Sequence, residues 1–73
     1  MPKLPVIKPR ELIRRLVKFG FVIDHQTGSH VVMYSAANHK RAVIPIHTKE
    51  LPAGTLLAIL REGGISKSDI LGK

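Results

Sequence analysis

Four histidines, His25, His30, His39 and His47, are the side chains of this sequence best suited to moving protons near neutral pH. Their spacing matches neither a zinc-finger nor an HExxH pattern, and the few acidic residues are scattered, so neither a metal nor a cofactor is expected. His30 stands out by its setting in Gln26-Thr27-Gly28-Ser29-His30, between two strand-like apolar runs. The Thr27-Gly28 step predicts a β-hairpin turn, because glycine takes the positive φ that such a turn needs. With a two-residue loop there, Gln26 would face Ser29 and His25 would face His30. The hairpin would thus lift an imidazole to the rim of a sheet, with Gly28 and Ser29 as the turn that presents it.

The chemistry open to such a group is narrow. Ser29 and His30 are neighbours whose side chains would diverge on a strand, which argues against a nucleophile–base pair. The sequence holds no glycine-rich phosphate loop and no paired carboxylates. RNA cleavage asks for less, since the nucleophile is the substrate's own 2′-hydroxyl. The protein must take that proton, deliver one to the leaving 5′-oxygen and stabilise charge on the phosphate; imidazoles do the first two tasks and cations the third. Lys40, Arg41 and Lys49 are expected in loops adjacent to His30. Arg10, Arg14 and Lys18 form a basic helical stripe able to hold phosphates, although a solvated helix face would look the same. His47, ending a predicted strand beside Lys49, is the first auxiliary candidate and His25 the second; His39 reads as a surface residue. Tyr34 and Phe21 are the aromatic candidates for stacking a base, with core packing the better use of Phe21.

The elements that must position these groups follow from periodicity. Pro9 suits the first turn of a helix running to Lys18, with Leu12, Ile13, Leu16, Val17 and Phe19 on one side and Gly20 as its cap. Strands are predicted over 21–26, 30–35 and 41–47. The turn between the last two spans 36–40, where Asn38 suits a left-handed position. Pro45 cannot donate to a ladder, which places its strand at an edge. A second helix opens near Pro52 or Ala53, buries Leu56, Leu57, Ile59 and Leu60 in some combination, and stops at Gly63-Gly64. Ser66 to Asp69 reads as the cap of one more helical turn. Residues 1–7 read as a loose lead-in. The expected fold is α+β, in the order α-β-β-β-α, a three-stranded antiparallel sheet with helices packed on one face.

The totals agree with a small basic protein. The 73 residues allow one domain, and 12 Lys and Arg against 5 Asp and Glu give +7, a balance that favours polyanions such as nucleic acid. There are no cysteines, which excludes disulfides and thiolate metal sites. No stretch approaches the roughly 20 apolar residues of a membrane span, and the first residues lack a secretory signal's apolar run, so a cytoplasmic protein with no membrane partner is expected.

Taken together, these segments resemble the HicA toxins, mRNA interferases of bacterial and archaeal toxin–antitoxin pairs. The likeness runs from about Lys8 to Leu71. It rests on Phe19-Gly20-Phe21, Gln26-Thr27-Gly28-Ser29-His30, Val43-Ile44-Pro45-Ile46-His47, Lys49-Glu50-Leu51-Pro52-Ala53-Gly54-Thr55-Leu56, Ile59-Leu60 and Gly64-Ile65-Ser66, in that order and spacing. The resemblance implies a fold similar to a double-stranded-RNA-binding domain and a metal-independent endoribonuclease with His30 as its single general acid or base. It also implies an RNA substrate and a cognate HicB-like antitoxin that covers the site, with DNA met only indirectly through the antitoxin. Members frequently carry Arg or Lys where this chain has His25, so the charge at that point here depends on pH. Two other readings make different predictions: a non-catalytic RNA-binding module, and a basic protein built to bind an acidic partner.

Overall fold

The computed structural model describes residues 6–70. Along the chain it forms α1 (Pro9–Lys18), β1 (Val22–Thr27), β2 (His30–Ser35), β3 (Lys40–Pro45), α2 (Ala53–Gly63) and α3 (Lys67–Ile70). Pro9 opens α1, Glu11 stands in its first turn, and Arg15 and Lys18 stand in its last, each sign where the helix dipole favours it. The α2 helix follows Pro52 and closes on Gly64 in a left-handed conformation, with the Ile65 N–H donating to Leu60 O at 2.9 Å. Ser66 caps α3 by accepting the Asp69 N–H at 3.2 Å, as the sequence predicts.

The three strands form one antiparallel sheet in the order β1-β2-β3, so the fold is α+β as expected. Val31 pairs with Ile44 and Met33 with Ala42, and all four are buried beneath the helices. They meet Leu12 and Leu16 of α1, Leu56, Ile59 and Leu60 of α2, and Ile70 of α3 in one core cluster, each helix contributing its apolar stripe. Period-two alternation sends His30, Val32 and Tyr34 of β2 to the other face, with Arg41, Val43 and Pro45 opposite them. That face carries no helix. Val32 is nearly buried at its centre yet stands outside the core cluster.

Several expectations need correction. The first turn is Gly28-Ser29 rather than Thr27-Gly28: Thr27 pairs with His30, which puts His25 opposite Val32, and an irregularity at Asp24 then brings Ile23 opposite Met33. A positive φ of 55° at Gly28, the first loop residue, is the glycine-first pattern of a tight hairpin and sets the register one residue later than expected. The first strand therefore starts at Val22, and Phe21 drops into the core. The third strand runs Lys40–Pro45 and leaves Ile46 and His47 beyond it. At the second turn the left-handed residue is His39 (φ 56°), not Asn38; its N–H donates to Ser35 O at 2.8 Å. Val17 and Phe19 do not join the core: they are 52% and 43% exposed, Val17 turned about 100° round α1 from Leu16 and Phe19 at the helix's C-cap. The α2 expectation holds, the combination buried being Leu56, Ile59 and Leu60 with Leu57 half-buried. Of the lead-in, residues 1–5 lie outside the described residues, but Ile7 is buried and bridged to Leu51, whose N–H donates to Ile7 O at 2.9 Å.

Candidate functional site

His30 begins β2 at the rim of the open face and is exposed. Its ring is placed by the two residues before it. Gly28 turns the chain, and Ser29 O accepts the Ile46 N–H at 2.7 Å, which ties the hairpin to the segment leaving β3. A Cβ built on Gly28 would meet open space, so a substitution there strains only the backbone. A side-chain-bearing residue at positive φ costs roughly 1–2 kcal/mol. Gly28→Ala is accordingly expected to lower stability by about that amount in a urea melt. It should also reduce whatever activity depends on the placement of His30.

The tie between Ser29 and Ile46 brings a second imidazole to the same rim. The His30 and His47 ring centroids are 6.2 Å apart with their planes tilted by 59°, and both residues are exposed. No hydrogen bond joins the two rings among the described residues. The proximity is implicit in the register, since His30 lies opposite Pro45 and His47 is two residues further on. The sequence reading reached the residue but not the pairing, having carried the strand through to His47. His25 shares this face, two residues from Thr27, and donates from Nδ1 to the Asp24 carboxylate at 2.6 Å.

The cations do not gather in one place. Lys40 and Arg41 are not in a loop beside His30. They start β3 opposite Ser35 and Tyr34, so Arg41 lies about 13 Å and Lys40 about 17 Å along the strand from the position facing His30, at roughly 3.3 Å per residue. Lys40 also lays its stem beside Gly64, toward the helix layer. Arg14 is held by Glu11 in a two-oxygen ion pair with contacts of 2.7 Å, and Arg15 joins the same carboxylate at 2.8 Å while donating to Ile70 O at 2.8 Å. The hydrogen bond from Arg14, then that from Arg15, holds the Glu11 carboxyl below its usual range. Lys18 is exposed in the last turn of α1 and lines neither of the two grooves near the rim.

Arg10 and Lys49 do come together. With Lys8, Pro9, Ile46, Thr48 and Glu50 they line a groove of about 550 Å³ that includes the residues on either side of His47. Lys8 was missed by sequence reasoning; its place just before the Pro9 that opens α1 is the signal that could have found it. A neighbouring groove of about 350 Å³ runs between α1 and β1, lined by Arg10, Ile13, Arg14, Ile23, Gln26, Val31 and Ile46. Tyr34 sits half-buried on the open face, its hydroxyl 3.0 Å from His39 Nδ1 and in hydrogen-bond contact with it. Phe21 is 1% exposed, which removes it as a stacking surface. Among the described residues no three His, Asp or Glu side chains converge as a metal site would require, and no helix is long and apolar enough to cross a membrane.

The structure is thus a small basic α+β domain with exposed imidazoles at the rim of its sheet and cations in the adjoining groove. The chain belongs to the HicA toxin family: the family described as "HicA toxin of bacterial toxin-antitoxin" matches residues 9–65 of the 73. It is thus a toxin-type protein of a toxin–antitoxin system, for which an antitoxin is the general partner. No curated protein sequence matches the chain significantly.

Proposed function

We propose that this protein is an endoribonuclease that cleaves mRNA in the cytoplasm without a metal, with His30 transferring a proton at the scissile phosphodiester. The observation that carries the reading is the exposed His30 ring at the open rim of the sheet, in a chain of the HicA toxin family. An imidazole there is reachable by a ribose, and it can accept the 2′-hydroxyl proton or protonate the 5′-oxygen. Lys8, Arg10 and Lys49 would hold the flanking backbone in the groove beside it, and Arg41, with Lys40 further out, would meet phosphates at the far end of β3. A cognate HicB-like antitoxin would neutralise the toxin by covering the His30 face.

The test is incubation of purified protein with a defined RNA in EDTA. Cleavage is expected to persist there. Intact RNA, recovered after long incubation although it binds the protein, would instead identify a non-catalytic RNA-binding module. Binding of RNA by a cleavage-inactive form should weaken steeply with salt, and removing one phosphate contact by Lys49→Ala or Arg10→Ala should lower the slope of log K against log salt by about 0.7 for a single strand. Arg14→Ala should change that slope less, because its guanidinium is held by Glu11 and lies outside the groove that Arg10 and Lys49 line.

A further inference from the structure

Breaking an RNA strand through its 2′-hydroxyl moves two protons at two different oxygens. One leaves the attacking O2′, and one must reach the departing O5′ on the opposite side of phosphorus. A lone imidazole can serve both only by shuttling between them. Two imidazoles, one neutral and one protonated, can serve them at the same moment, provided one phosphodiester can touch both rings.

The rim of this sheet offers such an arrangement. His30 and His47 have ring centroids 6.2 Å apart, both rings are exposed, and neither is spent on a hydrogen bond to a carboxylate or to the other among the described residues. His25, by contrast, donates to Asp24, and His39 is engaged with Tyr34 at the other end of the face. The pair is positioned by backbone rather than by chance side-chain approach: the Ile46 N–H is bonded to Ser29 O, fixing the residues immediately before His47 and His30 to each other. The groove holding Lys8, Arg10 and Lys49 adjoins the pair through Ile46 and Thr48.

We propose that His47 is the second proton-transfer group of the reaction, and that His30 and His47 bracket one phosphodiester as an acid–base pair. This rests on the ribonuclease reading above. In the step, the neutral imidazole takes the proton from the 2′-hydroxyl as O2′ bonds to phosphorus. The P–O5′ bond breaks and the protonated imidazole gives its proton to O5′. The products are a 2′,3′-cyclic phosphate and a 5′-hydroxyl, and exchange with solvent restores both rings. No oxidant, metal or other reactant is consumed. The titratable and charged groups nearest the pair by position are Lys49 and Glu50 on the segment that carries His47, Lys8 and Arg10 across the groove, and His25 with Asp24 on β1; Arg41 stands further along β3.

The experiment compares wild type, His30→Ala, His47→Ala and His47→Gln on an RNA whose cleaved bond has been mapped, and on the same RNA with sulfur replacing O5′ at that bond. The sulfur leaves as a thiolate and needs no proton. Each alanine variant is expected to lose at least about 100-fold on ordinary RNA, the lower end of what a positioned acid or base contributes. Each should melt as wild type does, because both side chains lie in solvent. His47→Gln should be as impaired as His47→Ala, since a glutamine amide can form a hydrogen bond but cannot take up or release a proton near neutral pH. The sulfur substrate should restore one of the two alanine variants and only one, identifying the acid. Wild type should show a bell-shaped pH–rate curve of which each variant loses one limb. Near-wild-type cleavage by His47→Ala, or its rescue in His47→Gln, would overturn the pair while an inactive His30→Ala left the ribonuclease reading standing. Sulfur rescue of both variants or of neither would also overturn it. Full cleavage by His30→Ala would instead remove the reading beneath.

Discussion

His30→Ala is expected to lower RNA cleavage by about 10²- to 10⁴-fold, the range that a positioned general acid or base contributes. It should abolish toxicity in cells and leave the fold unchanged. Both halves of that expectation come from the same geometry. The ring stands in solvent at the first residue of β2 and makes no core contact, so removing it opens no cavity. The backbone that carries it is held independently of the ring, by the positive φ of Gly28 and by the bond from Ile46 to Ser29 O. Loss of activity can therefore be separated from loss of structure. A thermal melt matching wild type, alongside a cleavage rate reduced by two decades or more, is the predicted pair of results. Full cleavage by this variant would remove His30 from the reaction.

Phe21→Ala has the opposite profile: its effect falls on the fold. Phe21 is 1% exposed, and its ring approaches α2 so closely that a Cβ added at Gly63 would lie 3.3 Å from its tip. Deleting a buried phenylalanine side chain costs about 3–5 kcal/mol in lost burial and residual cavity. A domain of 73 residues holds roughly 4–11 kcal/mol in all, at about 0.05–0.15 kcal/mol per residue. The substitution thus consumes much of the total. The melting midpoint should fall by at least ~12 °C, given about 4 °C or more per kcal/mol for a domain this small. A fall of less than ~5 °C would mean that the ring does not anchor α2 to the start of β1. Cleavage by the fraction still folded should be retained, which separates this variant from His30→Ala.

The sequence carried the fold further than it carried the site. Helix limits were legible because their punctuation is local: Pro9 at the first turn of α1, Gly64 after α2, Ser66 before α3. The sheet order followed from short loops joining consecutive strands. The errors lie where one residue of register decides the answer. Placing the turn at Thr27-Gly28 rather than Gly28-Ser29 put His25 opposite His30, when the partner of His30 is Thr27. Gly28 suits either position of a two-residue loop, so the sequence leaves both placements open; the pairing of Thr27 with His30 puts Gly28 first in the loop. The helical wheel of α1 groups its apolar residues but does not fix the width of the stripe that the core covers, which takes Leu12 and Leu16 and leaves Val17 and Phe19 exposed.

The cations show the same limit. Lys40 and Arg41 follow a turn, as His30 does, but consecutive turns of an antiparallel meander lie at opposite ends of the sheet. Arg14 looked free until Glu11, three residues earlier, was seen to hold it, a pairing that the helical spacing permits but does not require. The association of Lys8 and Arg10 with Lys49 is tertiary and has no sequence signal beyond charge. His30 itself was legible because glycine, turn and strand lie within three residues of it.

The most direct measurement is the chemistry of the ends left on a defined RNA cut by purified wild-type protein in EDTA, with His30→Ala treated in parallel. An imidazole acting on the substrate's own hydroxyl predicts 2′,3′-cyclic phosphate and 5′-hydroxyl ends from wild type and uncut RNA from the variant. Products ending in 3′-hydroxyl and 5′-phosphate, or equal cutting by the variant, would contradict it.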